Sequence, residues 1–267
     1  MIDFKMPEAI FFDVDGTLFS HSTLSVPESS KKSLQAARNM GIKLFVATGR
    51  HRLFLEDIPW MMDFGFDGYI TLNGQFCFSG DAVIYENYIN QKAVEILLNY
   101  LKAQKETIPF MFLEKDMIYK NFELLQGNNI RISKKCETFL DINDCYRALK
   151  NKIYQINTYA AKDIAVPIIQ EMEYCSWTGW GSQCIDIIPL KANKAESVKK
   201  VIEYFGFSMD KIAVFGDGDN DAEMLSLPLI SIAMGNASDK AKAAANYITD
   251  DIDKDGLSKA MSKLLHL

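Results

Sequence analysis

Hydrophobic residues in the first part of this chain come in short unbroken runs separated by stretches of helical period. Ala9–Phe12 (AIFF) is the first run, IKLFVATGR from Ile42 is the second, and Tyr69-Ile-Thr-Leu72 is the third. Unbroken β-rich runs suit parallel strands covered on both faces, where no alternate position meets solvent. Between the first two runs, Ser25-Val-Pro-Glu28 has capping-box spacing and predicts a helix start, and Gly41 predicts that helix's end. Asn73-Gly74 closes the third run with a strong hairpin signal.

The middle of the chain has a different rhythm. Residues 91–102 carry Val94, Leu97, Leu98 and Leu101 at helical spacing, followed by IPFMFLE, DMIYK, a helical stretch near 142–150, KIYQINTY, a short helix around Pro167, and the pair YCSWTGW and SQCIDII. Strands that come in adjacent pairs predict an α+β unit with an antiparallel sheet. From Asn193 the first rhythm returns: a helix with Val198, Val201, Ile202 and Phe205 stopped by Gly206, the strand IAVFGD, a helix ended near Pro228, the strand LISIAMG, and a last helix with Leu257, Ala260, Met261 and Leu264. The pattern therefore predicts an α/β fold, a doubly wound parallel-sheet, Rossmann-like core from residues 1–82 and 189–267. An inserted α+β cap domain is expected at 83–188.

Composition narrows the possibilities. The net charge of −6 and a pI near 5.2 argue against a general nucleic-acid binder, whose affinity would rest on a basic surface. The five cysteines are odd in number, widely spaced and without a CxxC pair, so neither a zinc site nor a disulfide framework is indicated. They fit a reducing compartment. The start MIDFKMPEAIFF is too short in apolar residues for a signal peptide, and nowhere do about 18 apolar residues run together. The expectation is a soluble cytoplasmic protein with no membrane or nucleic-acid partner.

Four stretches fall at the carboxyl ends of predicted core strands or at a helix start: Asp13-Val-Asp15-Gly-Thr-Leu18, Ala47-Thr48-Gly49-Arg50, Lys194, and Gly216-Asp217-Gly-Asp219-Asn220-Asp221. In an open α/β sheet that edge binds ligands. Each stretch alone has a plain explanation: a solvated turn, a helix cap, a surface lysine, an acidic or calcium-like loop. Their conjunction favours one converging site. Two acids spaced one residue apart repel each other and are costly to desolvate, so Asp13 and Asp15 call for a chemical reason.

The motifs DVDGTL, ATGR, the lysine and GDGDND, together with Met234-Gly-Asn-Ala237, closely resemble the haloacid dehalogenase (HAD) superfamily of phosphohydrolases. The large insertion after the third core strand is similar to the Cof-type branch, subfamily IIB with a C2B cap. The resemblance covers essentially the whole chain and implies a HAD-like core. It implies that Asp13 attacks phosphorus to form an aspartyl-phosphate, and that Asp15 protonates the leaving group and later activates water. It implies Mg²⁺ held by the Asp13 carboxylate, the Asp15 main-chain carbonyl and Asp217, with Gly16 letting the backbone turn beneath it. Around the phosphate it implies the Thr48 hydroxyl, adjacent N–H groups including that of Gly49, the Lys194 charge, and Asn220. Asp221 would orient metal waters or Lys194, and Asp219 would be a solvated turn residue. Arg50 would either help with phosphate or pack at the helix start.

Two departures from the family pattern stand out. Ala195 follows the motif lysine where glycine is usual, which leaves Lys191 as a competitor, although the helix start favours Lys194. None of His21, His51 and His266 matches a catalytic position; only His21 lies close enough to line the site, and all three read as bystanders. In the cap, Trp177, Trp180, Ser182 and Gln183 precede the return strand, and the aromatics could stack on a sugar or ring; core packing or surface exposure is the plainer account.

The expected activity is a Mg²⁺-dependent phosphatase for small phosphorylated metabolites, sugar phosphates first and phosphorylated cofactors such as pyridoxal phosphate next, acting as monomer or homodimer. A phosphomutase or phosphotransferase would use the same aspartyl-phosphate and differ only in products. A dehalogenase is disfavoured, since it needs neither an acid at position 15 nor a metal. A receiver-like regulatory module shares the paired acids, threonine and lysine, but is far shorter, lacks a cap and orders its acids differently.

Overall fold

The buried runs become strands because each can be covered on both faces. In the computed structural model, which describes residues 6–123, 135–180, 184–227 and 230–267, the strands in chain order are β1 (Ala9–Phe12), β2 (Lys43–Ala47), β3 (Gly68–Thr71), β4 (Phe76–Ser79), β5 (Ala82–Glu86), β6 (Phe110–Leu113), β7 (Ile118–Lys120), β8 (Cys136–Thr138), β9 (Gln155–Thr158), β10 (Cys175–Trp180), β11 (Cys184–Pro189), β12 (Ile212–Gly216), β13 (Ile230–Ala233) and β14 (Tyr247–Ile248).

The first sheet has the order β14-β13-β12-β1-β2-β3-β4-β5. Neighbours from β14 to β3 run parallel, and β4 and β5 add an antiparallel edge. Every residue of the central strand β1 is buried, in register with β12 on one side and β2 on the other. Such a strand has no solvent face, which is why its sequence shows no alternation. Phe11 stacks on Phe45 and Phe12 on Phe215, so the packing that fixes β1 comes from both neighbours. Strand order reverses between β12 and β1, and the loops leaving these two strands open the crevice where ligands bind in such sheets.

The Asn73-Gly74 hairpin forms as expected: a tight turn over Leu72–Gly74, with Asn73 at φ 56°, leads β3 into antiparallel β4. The capping box at Ser25 does not form. Pro27 drives Val26 out of the α region, so the helix starts only at Glu28 and has no side-chain cap. The Ser25 carbonyl instead accepts the Ser20 N–H. The helix expected to start after Arg50 is the single turn Arg52–Leu55, whereas the helices Pro59–Phe64 and Asp239–Ala244 and the strands β5, β8 and β14 have no counterpart in the sequence pattern; each is too short to develop a period.

Contacts divide the chain into Met1–Glu86 with Asn193–Leu267, and Asn87–Ala192. The division falls after Glu86 and Ala192 rather than after 82 and 188, because β5 pairs with β4 in the first sheet. The second unit holds a sheet of order β10-β11-β9-β6-β7-β8, antiparallel except for the parallel pair β7 and β8. Phe110, Phe112, Ile156, Ile185 and Ile187 on one sheet face join Val94, Leu97, Leu98 and Leu101 of helix Gln91–Ala103 in its core. The helical stretch near 142–150 is one turn, Ile142–Cys145, continued as a 3₁₀ turn over Tyr146–Leu149, and helix Lys162–Glu171 accommodates Pro167. Pro228 lies outside the described residues.

Candidate active site

The loop after β1 builds the floor of the site. The Asp13 N–H donates to the Phe215 carbonyl, and the Val14 carbonyl accepts from the N–H groups of Thr17, Leu18 and Phe19, which turns the chain back sharply. At the turn Gly16 has φ +84°, and a Cβ there would stand 2.2 Å from Asp217 Oδ2. Both the backbone sign and the close approach require glycine. The Thr17 hydroxyl donates to Asp217 Oδ1 at 2.8 Å, tying this loop to the one after β12.

Lys194 opens helix Lys194–Phe205, whose start is fixed by Asn193, the side chain of which accepts the Glu196 N–H. Its fully buried ammonium donates to Asp13 Oδ1 and to Asp221 Oδ1, both at 2.6 Å. Asp221 Oδ2 accepts the N–H groups of Asp217 and Gly218. Thus Asp221 orients Lys194 and shapes the loop that carries Asp217. Carboxylate oxygens of Asp13, Asp217 and Asp221 lie within 4.8 Å of one another.

One lysine against three carboxylates leaves this cluster short of positive charge. Burial, with the repulsion of Asp221, Asp217 and Asp15 added to it, pushes the Asp13 carboxyl well above the ordinary carboxylate range despite Lys194. Burial and then the neighbouring Asp221 push Asp217 up to about 7. Burial by itself would discharge Lys194, but the charges of Asp13 and Asp221 outweigh it and hold the ammonium above its usual range. An oxygen-only, charge-deficient cluster beside a glycine turn fits a hard divalent cation.

Asp15 is driven the other way. Arg50 grips its carboxylate with both arms, Nε to Oδ2 at 2.7 Å and Nη2 to Oδ1 at 2.6 Å, and His21 Nε2 lies 3.0 Å from Oδ1. Burial raises the Asp15 carboxyl, but the hydrogen bonds from Arg50 and His21 prevail and hold it far below the usual range. The hydrogen bond to Asp15 in turn raises the His21 imidazole. One expectation is corrected here. His21 is a partner of Asp15 and not a bystander. Arg50 packs at the helix start, one of the two roles expected for it, with Nη1 donating to the Phe54 carbonyl at 3.4 Å, while Nε and Nη2 hold Asp15; the helix, Arg52–Leu55, is capped by His51, whose Nδ1 accepts the Leu53 N–H. The Asp15 carboxylate stands outside the cluster of Asp13, Asp217 and Asp221.

The remaining residues form the rim. The buried Thr48 holds the end of β2 to β3 through its N–H and the Ile70 carbonyl, and its hydroxyl accepts the Arg50 N–H. A Cβ on Gly49 would meet Asn73 Oδ1 at 3.0 Å. Asn73 also accepts from Asn220 Nδ2, so the structure engages Asn220 with Asn73, a residue that the sequence marks only as a turn former. Asn236, in the Met-Gly-Asn-Ala motif, donates to the Gly16 carbonyl and accepts the Ile252 N–H. Asp219 is an exposed turn residue, as expected. Lys191 is exposed at φ +67°, and Lys194 alone of the two meets Asp13. Ala195 is buried in the first helical turn without disturbing it. In the second unit Trp177 is 40% exposed with the Lys162 ammonium 5.5 Å above its ring; the Trp180 side chain, Ser182 and Gln183 lie outside the described residues.

Comparison with known proteins agrees with this geometry. The haloacid dehalogenase-like hydrolase family matches residues 10–261. The Bacillus subtilis protein YkrA, provisionally named a phosphatase, is 29% identical over 262 residues, 96% of each chain. The pyridoxal phosphate phosphatase YbhA of Escherichia coli is 27% identical over 272 residues, covering 94% of this chain and 96% of its own. The solved structure of the HAD subclass IIB sugar phosphatase BT4131 superposes with a TM-score of 0.82 at 30% identity, over 97% of this chain and 100% of that one. With its core sheet, its inserted unit and its motifs accounted for together, the chain belongs to the haloacid dehalogenase-like hydrolases, among relatives named as phosphatases.

Proposed function

We propose that the protein is a Mg²⁺-dependent phosphatase of small phosphorylated metabolites, sugar phosphates first and phosphorylated cofactors such as pyridoxal phosphate next. The observation that carries this reading is the opposed treatment of two acids two positions apart. Asp13 sits in a buried cluster braced by Lys194, while Asp15 is held ionised by Arg50 and His21. Asp13 attacks phosphorus, the bond from phosphorus to the leaving oxygen breaks, and that oxygen takes a proton from Asp15. Water then gives a proton to Asp15 and attacks the aspartyl-phosphate, releasing inorganic phosphate and restoring Asp13.

Lys194 opposes the protonation that burial favours at Asp13 without overcoming it, and a cation at the cluster would add the positive charge that an ionised, nucleophilic Asp13 needs. As found, Asp15 is in its basic form, suited to the second step; the first step requires it to take up a proton and release an oxygen from Arg50 or His21. Thr48, the Gly49 N–H and Asn220 are the groups assigned to the phosphoryl oxygens. Asp13, Asp217 and the Asp15 main-chain carbonyl would hold Mg²⁺, which supplies positive charge to the carboxylates and to the transferring phosphoryl group. The net negative charge and the free cysteines support a cytoplasmic setting without a nucleic-acid partner; a monomer or homodimer is the proposed assembly. Among the described residues no helix is long and apolar enough to cross a membrane.

The test is release of inorganic phosphate from a panel of phosphorylated metabolites, with Mg²⁺ and with excess chelator. Turnover of sugar phosphates that depends on Mg²⁺ is expected. No release across the panel, or undiminished release in chelator, would overturn the assignment.

A further inference from the structure

Segment 20–25 folds back on itself after the catalytic loop, with the Ser20 N–H donating to the Ser25 carbonyl. His21 projects from it with a side chain that is 62% exposed, so the imidazole is not fixed by burial. What fixes the segment is Asp253, in the 3₁₀ turn Ile252–Lys254 near the end of the chain. The Ser20 hydroxyl donates to Asp253 Oδ1 and the Ser22 hydroxyl to Oδ2, both at 2.6 Å, so one carboxylate grips the residues on either side of His21. The same turn is braced against the catalytic loop by Asn236, which joins the Ile252 N–H to the Gly16 carbonyl. Asp253 is itself oriented by Asp251, whose side chain accepts its N–H. The Phe19 ring lies 5.6 Å from the His21 ring and 5.4 Å from the Arg50 guanidinium, leaving the two cationic partners of Asp15 on a shared aromatic support.

We infer that Asp253 is a positioning residue: by clamping Ser20 and Ser22 it holds His21 against Asp15, and with Arg50 this sets where the Asp15 carboxylate stands. The inference rests on the phosphatase reading for the role of Asp15, and on the hydrogen bonds alone for the clamp. A carboxylate that must exchange a proton with a leaving oxygen and then with water loses rate steeply when displaced by a fraction of an ångström. The loss falls on leaving groups that need protonation and spares those that do not.

The experiment compares the full-length protein with Asp253→Ala, Asp253→Asn, His21→Ala and the Asp253→Ala/His21→Ala double variant. The substrates are a hexose phosphate and p-nitrophenyl phosphate with saturating Mg²⁺. The His21 ring nitrogens are followed by ¹⁵N NMR on the same samples. Asp253→Ala is expected to lower kcat on the hexose phosphate about tenfold with KM changed less than about twofold, to lower kcat on the nitrophenyl ester less than about twofold, and to be no worse when combined with His21→Ala. The His21 Nε2 resonance should move toward that of a free imidazole. Asp253→Asn keeps the side chain's shape and one acceptor, and should fall between wild type and Asp253→Ala in both readouts. Equal losses on the two substrates, an additive double variant, or an unmoved His21 resonance would overturn the inference. Absence of turnover by the wild-type protein would instead overturn the phosphatase reading, with the resonance still deciding whether Asp253 holds His21.

Discussion

Replacing Lys194 with methionine removes the single ammonium that stands between Asp13 and Asp221. Methionine fills much of the lysine stem's volume, so the packing of helix Lys194–Phe205 over the first sheet is largely kept and the change isolates the charge. Lysine and both carboxylates are buried, with contacts of 2.6 Å on each side. Removing one partner of a buried ion pair costs roughly 3–5 kcal/mol, because the remaining charge is left desolvated. Two carboxylates are stranded here, but either can take up a proton, and Asp13 is already pushed in that direction. The loss should therefore stay near the single-pair figure. At about 2–4 °C per kcal/mol for a chain of this size, the melting temperature should drop by roughly 6–20 °C, and turnover should fall by orders of magnitude. The variant should recover stability as pH is lowered, since protonation neutralises the stranded acids. Thermal melts of Lys194→Met beside Lys191→Met measure this; the exposed Lys191 should change stability by less than about 0.5 kcal/mol. A Lys194→Met protein that melts within about 2 °C of wild type in chelator would refute the claim that this ammonium offsets the buried acids.

Further outcomes follow from the same geometry. Asp217, raised to about 7 in the folded protein from 3.8, contributes stability that is fully present below about pH 3.8 and is lost as pH rises through about 7. The metal-free protein should thus melt at a lower temperature at about pH 8.5 than at about pH 5.5, with millimolar Mg²⁺ abolishing the difference; a melting temperature that rises over this window in chelator would contradict the burial argument. Gly16→Ala places a Cβ 2.2 Å from Asp217 Oδ2 at a φ of +84°, which should cost about 1–3 kcal/mol and weaken Mg²⁺ binding measured calorimetrically. Unaltered metal affinity would show that the loop can yield there. Asp13→Asn should abolish covalent phosphate in rapid-quench assays while ester binding persists. Asp15→Asn should slow alkyl phosphates far more than nitrophenyl phosphate, and equal slowing would mean that Asp15 does not protonate the leaving group.

The sequence by itself determined the elements whose causes are local and repeated. The AIFF and IAVFG runs declare strands without a solvent face, and Asn193 and Gly206 mark the ends of the helix that carries Lys194. Acids at the ends of two such strands pointed to one candidate site, and strand ends that lie side by side in a parallel sheet do bring residues as distant as Asp13 and Asp217 together. The short elements left no periodic signal, and Pro27 overrode the cap at Ser25 through a steric effect that the spacing did not reveal. Only the tertiary structure decided which side chains pair across the chain. For Arg50 the local sequence leaves phosphate contact and packing at the helix start equally open and gives no sign of Asp15; the turn after Val14 brings the Asp15 carboxylate to it. His21 and Asp253 are ordinary polar surface residues in sequence, 232 positions apart; the Ser20 and Ser22 hydroxyls that join them become neighbours of Asp253 only after the last turn docks beside the first strand's loop. Hydrophobic period records which face of an element is buried. It carries no record of which polar group waits on the other side of a crevice, and there the protonation of Asp15 is set.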